Sequence, residues 1–260
     1  EVNVSNWDTN DSDKEARMAH ALGTVETVFS HARLGLSASH YWIWPTHRWD
    51  GTEYPVFKAY EKLRDHMGDT LLSSYAFRNI RVYTTRDSRT GELAIWALNF
   101  SNDEQTTLNL NLANLPRIEQ ARLFRLVDHS GPTTLFSINT SSEMGAKVIN
   151  VDWTSSNITS QFASNYSLTL PAATLTLLVL QPGLPPLTPV IAGQGGQKTC
   201  SIQFPAIPYS SERRYQLHSS DDLLTWNLLT EVAAGTNQTI SIPDPRPLNA
   251  TRFYRVTTQN

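Results

Sequence analysis

The stretch from Leu36 to Asp69, LSASHYWIWPTHRWDGTEYPVFKAYEKLRDHMGD, holds a strand pattern, an aromatic loop and a helix pattern in direct succession. Side chains alternate faces along a strand, so Ser39 to Trp44 puts His40, Trp42 and Trp44 on one side and Ser39, Tyr41 and Ile43 on the other. Pro45 ends the ladder because it has no N–H to give. Pro55 suits the first turn of a helix. Val56, Phe57, Tyr60, Leu63 and Met67 then recur at helical spacing down to Gly68, a C-terminal stop. Strand, loop and helix make one unit of a (β/α) barrel. Trp44, Trp49 and Tyr54 would crowd the carboxyl end of its strand, where ligand sites of such barrels lie.

Upstream, Asp11-Ser12 is positioned to cap a helix running from Asp13 to about Leu34, with Glu15 placed as in a capping box. Ala16, Ala19, Leu22, Gly23, Val25, Val28 and Phe29 give that helix a small or apolar face suited to covering a sheet. The first seventy or so residues thus read helix, strand, helix. His20 and His31 lack a ligand-pair spacing. His40 and His47 flank the Trp cluster without a third ligand nearby, so no metal is expected, and no cofactor.

Composition bounds the rest. A chain of 260 residues with 40% hydrophobic content supports one large domain or two to three small ones. A net charge of −3 with no Lys/Arg run leaves no footprint for nucleic acid or an anionic membrane, and neither is expected as a partner. The longest apolar run, around Leu175 to Leu180, falls far short of the roughly 20 residues of a membrane helix. The opening residues EVNVSNWDTND lack the basic start and apolar segment of a signal peptide. The lone Cys200 excludes an internal disulfide and reads as a small buried hydrophobe.

From Tyr75 onward short alternating segments predict strands at Ile80–Thr85, Leu93–Phe100, Thr107–Leu112, Ala121–Val127, Val148–Trp153, Tyr166–Leu170 and Leu175–Leu180, a β-sandwich. Pro182 to Pro189 has the stiffness of a spacer. Beyond it, strands at Ser201–Phe204, Tyr215–Ser219, Trp226–Leu229, Thr239–Ile242 and Phe253–Thr257 predict a small immunoglobulin- or fibronectin-like sandwich, plugged by Trp226. The fold class is therefore mainly β with an α/β N-terminal part. Its expected domains are a partial (β/α)8-barrel segment at 1–72, a β-sandwich at 73–182, a linker at 183–189 and a terminal module at 190–260. Two barrel units leave exposed edges, so the helices should lean on the sandwich or on a second copy of the chain, with 73–181 folding alone. Asn139-Thr140-Ser141, Asn157-Ile158-Thr159 and Asn249-Ala250-Thr251 match the glycan-acceptor pattern and read as chance.

Several of these segments carry a resemblance. Glu1-Val2-Asn3-Val4-Ser5-Asn6-Trp7-Asp8, His40-Tyr41-Trp42-Ile43-Trp44-Pro45, Tyr54-Pro55-Val56, Ala59-Tyr60 and Gly68-Asp69 resemble the last quarter of a clan A retaining glycoside hydrolase barrel, with arabinofuranosidases, xylosidases and endoglucanases as the nearest types. Asn79 to Tyr83, Leu93 to Asn99, Tyr166 to Pro171 and Leu175 to Leu180 resemble the sandwich that follows such barrels. The tail, with Ser219-Ser220-Asp221-Asp222-Leu223, Thr225-Trp226 and Arg252-Phe253-Tyr254-Arg255-Val256, resembles a terminal module of secreted bacterial proteins. The resemblance implies a secreted or extracytoplasmic bacterial protein whose signal peptide is not in this chain.

The resemblance places the catalytic nucleophile at Glu1. Retaining hydrolysis needs a second carboxyl about 5 to 5.5 Å away as acid/base, and no segment of this chain matches it. The expected partners are a polysaccharide or oligosaccharide and the missing N-terminal barrel portion or a second copy of the chain. Trp42, Trp44, Trp49, Tyr54 and His40 are the substrate-binding candidates. Trp42 and Trp44 keep two readings, sugar platform or core filler, because aromatic faces serve both. The alternative function is a non-catalytic carbohydrate-binding or interaction protein.

Overall fold

A computed structural model describes residues 17–36, 51–112, 115, 117–141, 147–183, 187–192, 199–206, 214–233, 239–246 and 251–259. The fold is mainly β with a small α part. Two compact units emerge, the first from Glu1–Arg86, Leu93–Ala113 and Ala121–Leu180, the second from Asp87–Glu92, Asn114–Gln120 and Gln181–Asn260. The barrel strand expected at Ser39–Trp44 lies outside the described residues, as do Asp11, Ser12 and Glu15.

Two helices open the described part, α1 (Met18–Arg33) and α2 (Pro55–His66). Arg17 is extended, with φ −86° and ψ 157°, and bridges Ile138, so α1 starts at Met18 rather than at Asp13. The first N–H groups of a helix have no acceptor inside it. Here Met18 N–H donates to the Ser137 carbonyl (2.8 Å) and Ala19 N–H to that of Leu135 (3.0 Å). A distant loop, not a local side chain, therefore starts α1. In α2 the pattern holds as expected: Pro55 occupies the first turn, and Gly68, at φ +67°, takes the left-handed conformation that ends the helix.

The strands of the first unit are, in chain order, β1 (Thr70–Phe77), β2 (Ile80–Arg86), β3 (Leu93–Asn99), β4 (Thr106–Asn111), β5 (Ile118–Asp128), β6 (Thr140–Ser141), β7 (Lys147–Val148), β8 (Val151–Asn157), β9 (Asn165–Leu170) and β10 (Leu175–Pro182). Six form one sheet in the order β1-β2-β3-β10-β5-β8, and β4 pairs with β9 in a ribbon. Strand β1, which the alternation did not predict, pairs along its length with β2. Six of its eight residues are exposed, so it carries no apolar periodicity to read.

Alternation buries both faces of the central strands. Ala94, Trp96 and Leu98 of β3 and Leu175, Leu177 and Val179 of β10 share one buried cluster with Met18, Leu22, Val25 and Phe29 of α1 and with Val56, Ala59 and Leu63 of α2. Phe29 stacks on Tyr83 with ring centroids 4.7 Å apart and tilts toward Trp96 at 5.6 Å. Glu26 of α1 accepts from the Tyr83 hydroxyl (2.6 Å) and from Arg81 Nε (3.2 Å), tying the helix to β2. Burial first, then the Glu26 carboxylate, pushes the Tyr83 phenol up to about 12. On the opposite face Ile95, Ala97, Leu178 and Leu180 are buried, as are Leu168 and Leu170 of β9. Asn99 Nδ2 donates there to the carbonyls of Leu170 and Pro171. A boundary between residues 72 and 73 would cut β1 and strip the helices from the sheet they cover.

The second unit holds β11 (Thr188–Ala192), β12 (Thr199–Pro205), β13 (Arg214–Ser220), β14 (Asn227–Ala233), β15 (Thr239–Asp244) and β16 (Phe253–Gln259). They form two three-stranded sheets, β11-β12-β15 and β14-β13-β16. Cys200, Ile202, Phe204, Ile240 and Ile242 from one meet Tyr215, Leu217 and Val256 from the other. Two expectations change. Thr188 and Pro189 are not spacer: they open β11, with Pro189 opposite Ile202, and an edge strand tolerates the missing N–H. Trp226 does not plug the sandwich. It is half-buried, with the Arg255 guanidinium 4.4 Å from its ring centroid, and Tyr215 fills the core instead.

Candidate functional site

Of the residues singled out by sequence, Glu1, His40, Trp42, Trp44 and Trp49 lie outside the described residues. Tyr54 and the loop Gly51–Tyr54, immediately after the Trp-bearing stretch, lie within them. Tyr54 is 7% exposed and belongs to the apolar cluster between helices and sheet. Its backbone is extended, with φ −82° and ψ 160°, and its carbonyl accepts from Phe57 N–H (2.9 Å), opening the first turn of α2.

What holds this loop comes from far along the chain. Asn139, 1% exposed, donates through Nδ2 to the carbonyls of Glu53 (2.9 Å) and Val151 (3.0 Å). Its Oδ1 accepts from the N–H groups of Asn150 (2.8 Å) and Val151 (2.7 Å). Both donors and both acceptor positions of the amide are thus used. A buried, saturated amide nitrogen has no room for a glycan, which gives the sequon at Asn139 a structural explanation.

Charge makes the second anchor. Lys58 Nζ on α2 lies 2.6 Å from Glu53, 3.7 Å from Asp152 on β8 and 3.8 Å from Glu61. Burial opposes the Lys58 charge, but the Glu53 hydrogen bond and the charges of Asp152, Glu53 and Glu61 outweigh it and raise its pKa. An ammonium so held is a strut rather than a proton acceptor. Trp153 Nε1 donates to the Lys58 carbonyl (2.8 Å), so β8 grips α2 through both an indole and a carboxylate. Burial also raises the pKa of Tyr60 on the same helix.

This arrangement positions; it does not itself react. The Glu53 carboxylate is occupied by Lys58. Among the described residues no cluster of three or more His, Cys, Asp or Glu side chains is placed to hold a metal ion. Sequence reasoning passed over Asn139 as a chance sequon and did not single out Lys58. Its only signal was an Asn inside a stretch of Ser and Thr residues.

Comparison of the sequence with protein-family profiles finds no match, and comparison with curated proteins finds none. Solved structures do match. The arabinose-bound GH51 α-L-arabinofuranosidase MgGH51 is 17% identical with a TM-score of 0.50, over 65% of this chain and 28% of that one. A family 44 xyloglucanase of Paenibacillus polymyxa is 16% identical with a TM-score of 0.48, over 64% and 30%. CelM2, a bifunctional glucanase-xylanase from a metagenome library, is 23% identical with a TM-score of 0.45, over 65% and 29%. The chain spans less than a third of each of these proteins. The likeness is one of fold, and that fold is glycoside hydrolase-like.

Proposed function

We propose that the chain is the carboxyl-terminal portion of a retaining glycoside hydrolase acting on plant-type or related polysaccharide. Glu1 is its nucleophile, and Trp42, Trp44, Trp49 and His40 surround the sugar, while Tyr54, buried in the apolar cluster, opens α2 at the end of that stretch. The observation that carries this reading is the fold likeness to an arabinose-bound arabinofuranosidase over 65% of the chain. The anchoring of Gly51–Tyr54 by Asn139 and Lys58 supports it, because reacting groups need a rigid frame.

In this reading Glu1 attacks the anomeric carbon to form a glycosyl-enzyme, and a second carboxyl about 5 to 5.5 Å away protonates the leaving oxygen. That acid/base comes from a preceding barrel portion. The segment ending with α2 completes the barrel, β1 to β10 form the accompanying sandwich and β11 to β16 the terminal module of an extracytoplasmic bacterial protein. No helix among the described residues is long and apolar enough to cross a membrane.

The 260-residue chain by itself should hydrolyse aryl glycosides of arabinose, xylose and glucose no faster than buffer. A version extended by its native upstream reading frame should turn one of them over and lose that turnover on Glu1→Gln. Activity in either protein that survives Glu1→Gln would remove Glu1 from the chemistry and sink the reading. A non-catalytic carbohydrate-binding or interaction protein is the second reading, favoured by the exposed Leu228 and Arg255 of the second unit.

A further inference from the structure

The sheet β14-β13-β16 carries one cross-strand row, Leu228, His218 and Arg255, paired in register. Leu217 and Val256, the adjacent residues on β13 and β16, are buried, so alternation turns the row away from the core. Leu228 is 53% exposed, and Arg255 is exposed. The Trp226 ring backs the Arg255 guanidinium at 4.4 Å. Stacking of this kind fixes a guanidinium plane without consuming its N–H donors.

The anions nearby are already committed. Glu231, in the next row, accepts from Arg214 (2.9 Å) and Gln216 (3.0 Å). Asp222, in the turn before Trp226, accepts from the N–H groups of Leu224 and Thr225 and from the Ser220 hydroxyl. Among the described residues no carboxylate pairs with Arg255, whereas Arg214, Arg246 and Arg252 each have one. His218, bonded to the Thr257 hydroxyl at 3.0 Å, has its pKa lowered by burial and by the Arg255 charge. Among the described residues the face therefore presents one oriented cation without a carboxylate partner, beside an imidazole, an indole and a leucine.

We propose that this row is a subsite for a uronic-acid residue of a polysaccharide. Arg255 takes the sugar carboxylate through paired N–H donors, the fork geometry that favours arginine over lysine for such groups. Leu228 and the Trp226 ring edge meet the C–H face of the ring, and His218 and Thr257 reach its hydroxyls. Charge complementarity selects an acidic ligand; that the ligand is a glycan rests on the reading proposed above.

The test is titration calorimetry of the 260-residue chain with oligogalacturonate, neutral arabinoxylan oligosaccharide and poly-L-glutamate, with melting temperature as the folding control. Oligogalacturonate should bind, and Arg255→Gln should weaken it about tenfold or more with the melting temperature unchanged. Arg255→Lys should recover only part of the loss. Equal affinity for neutral arabinoxylan, or affinity unmoved by Arg255→Gln, would overturn the subsite while leaving the hydrolase reading intact. Poly-L-glutamate binding as tightly as oligogalacturonate would replace the glycan with an acidic protein. Oligogalacturonate binding by this chain, together with no turnover by the extended protein, would retain the subsite and remove the hydrolase.

Discussion

The two units cover their sheets by different means. In the first, α1 and α2 lay Met18, Leu22, Val25, Phe29, Val56 and Leu63 on Trp96, Leu98 and Leu177, so a sheet face is closed by apolar burial. In the second, β15 alternates outward and inward residues until its last inward position holds not another isoleucine but Asp244, 2% exposed. Arg252 Nη1 (2.5 Å), the Tyr254 hydroxyl (2.9 Å) and the backbone and side chain of Arg246 donate to it, and Arg246 reaches on to Ser219. A small domain buries a smaller fraction of its chain, and a carboxylate that gathers donors from its own strand end and from β16 fixes that corner by direction rather than by area. Apolar layers tolerate repacking, whereas a buried charge network fails when one member is lost.

The comparison can be broken at several points. The largest effect should come from cutting the chain to Ser73–Gln181, which removes both helices and part of β1. The isolated fragment was expected to fold by its strand pattern alone. With its α layer gone, Trp96, Leu98 and Leu177 would face water, and circular dichroism should show no cooperative melt. A cooperative melt would mean that the helices are ornamental.

Next is Asp244→Ala. It takes the buried carboxylate away from Arg252, whose side chain is 7% exposed and keeps only the exposed Asp221 at 3.3 Å, and should cost the second unit about 3 kcal/mol in urea unfolding. Asn139→Ala should cost the first unit about 2 to 3 kcal/mol, because it strands two carbonyls and two N–H groups. It should also free the Gly51–Tyr54 loop to exchange its amides.

Acid gives the smallest effect. Burial works against the Asp244 charge, but the Arg246, Tyr254 and Arg252 bonds outweigh it and hold its pKa at about 2, below the ordinary 3.8. A depressed carboxylate stabilises the fold above its ordinary pKa. That contribution, about 2 kcal/mol, is lost as pH falls from about 4 toward 2. Asp244→Asn should flatten this acid limb, and an unchanged limb would assign acid sensitivity elsewhere.

Legibility followed the reach of each cause. Strands β2 and β9 are visible because they alternate residues against a core, β3 and β10 because each is a short apolar run buried on both faces, and α2 because Pro55 and Gly68 mark its ends within the segment itself. The start of α1 was not visible, since the acceptors at Leu135 and Ser137 belong to a remote loop. Strand β1 buries too little to pattern, and Pro189 disguised an edge strand as a spacer. Trp226 follows the apolar pair Leu223-Leu224 and so read as core, yet it lies half-buried against Arg255 and Tyr215 takes the core. At the candidate site the Asn139 and Lys58 anchors join segments that no local pattern connects. Tyr54, expected at the sugar, sits in the core, where it serves the helix start.

Helices α1 and α2 and the six-stranded sheet should open as one cooperative core, and native-state amide hydrogen exchange tests that most directly. The amides of Leu22, Val25 and Leu63 should exchange with the same free energy as those of Trp96 and Leu177, through one global opening. Helical amides that exchange through a separate, lower-energy opening while Trp96 and Leu177 stay protected would contradict it.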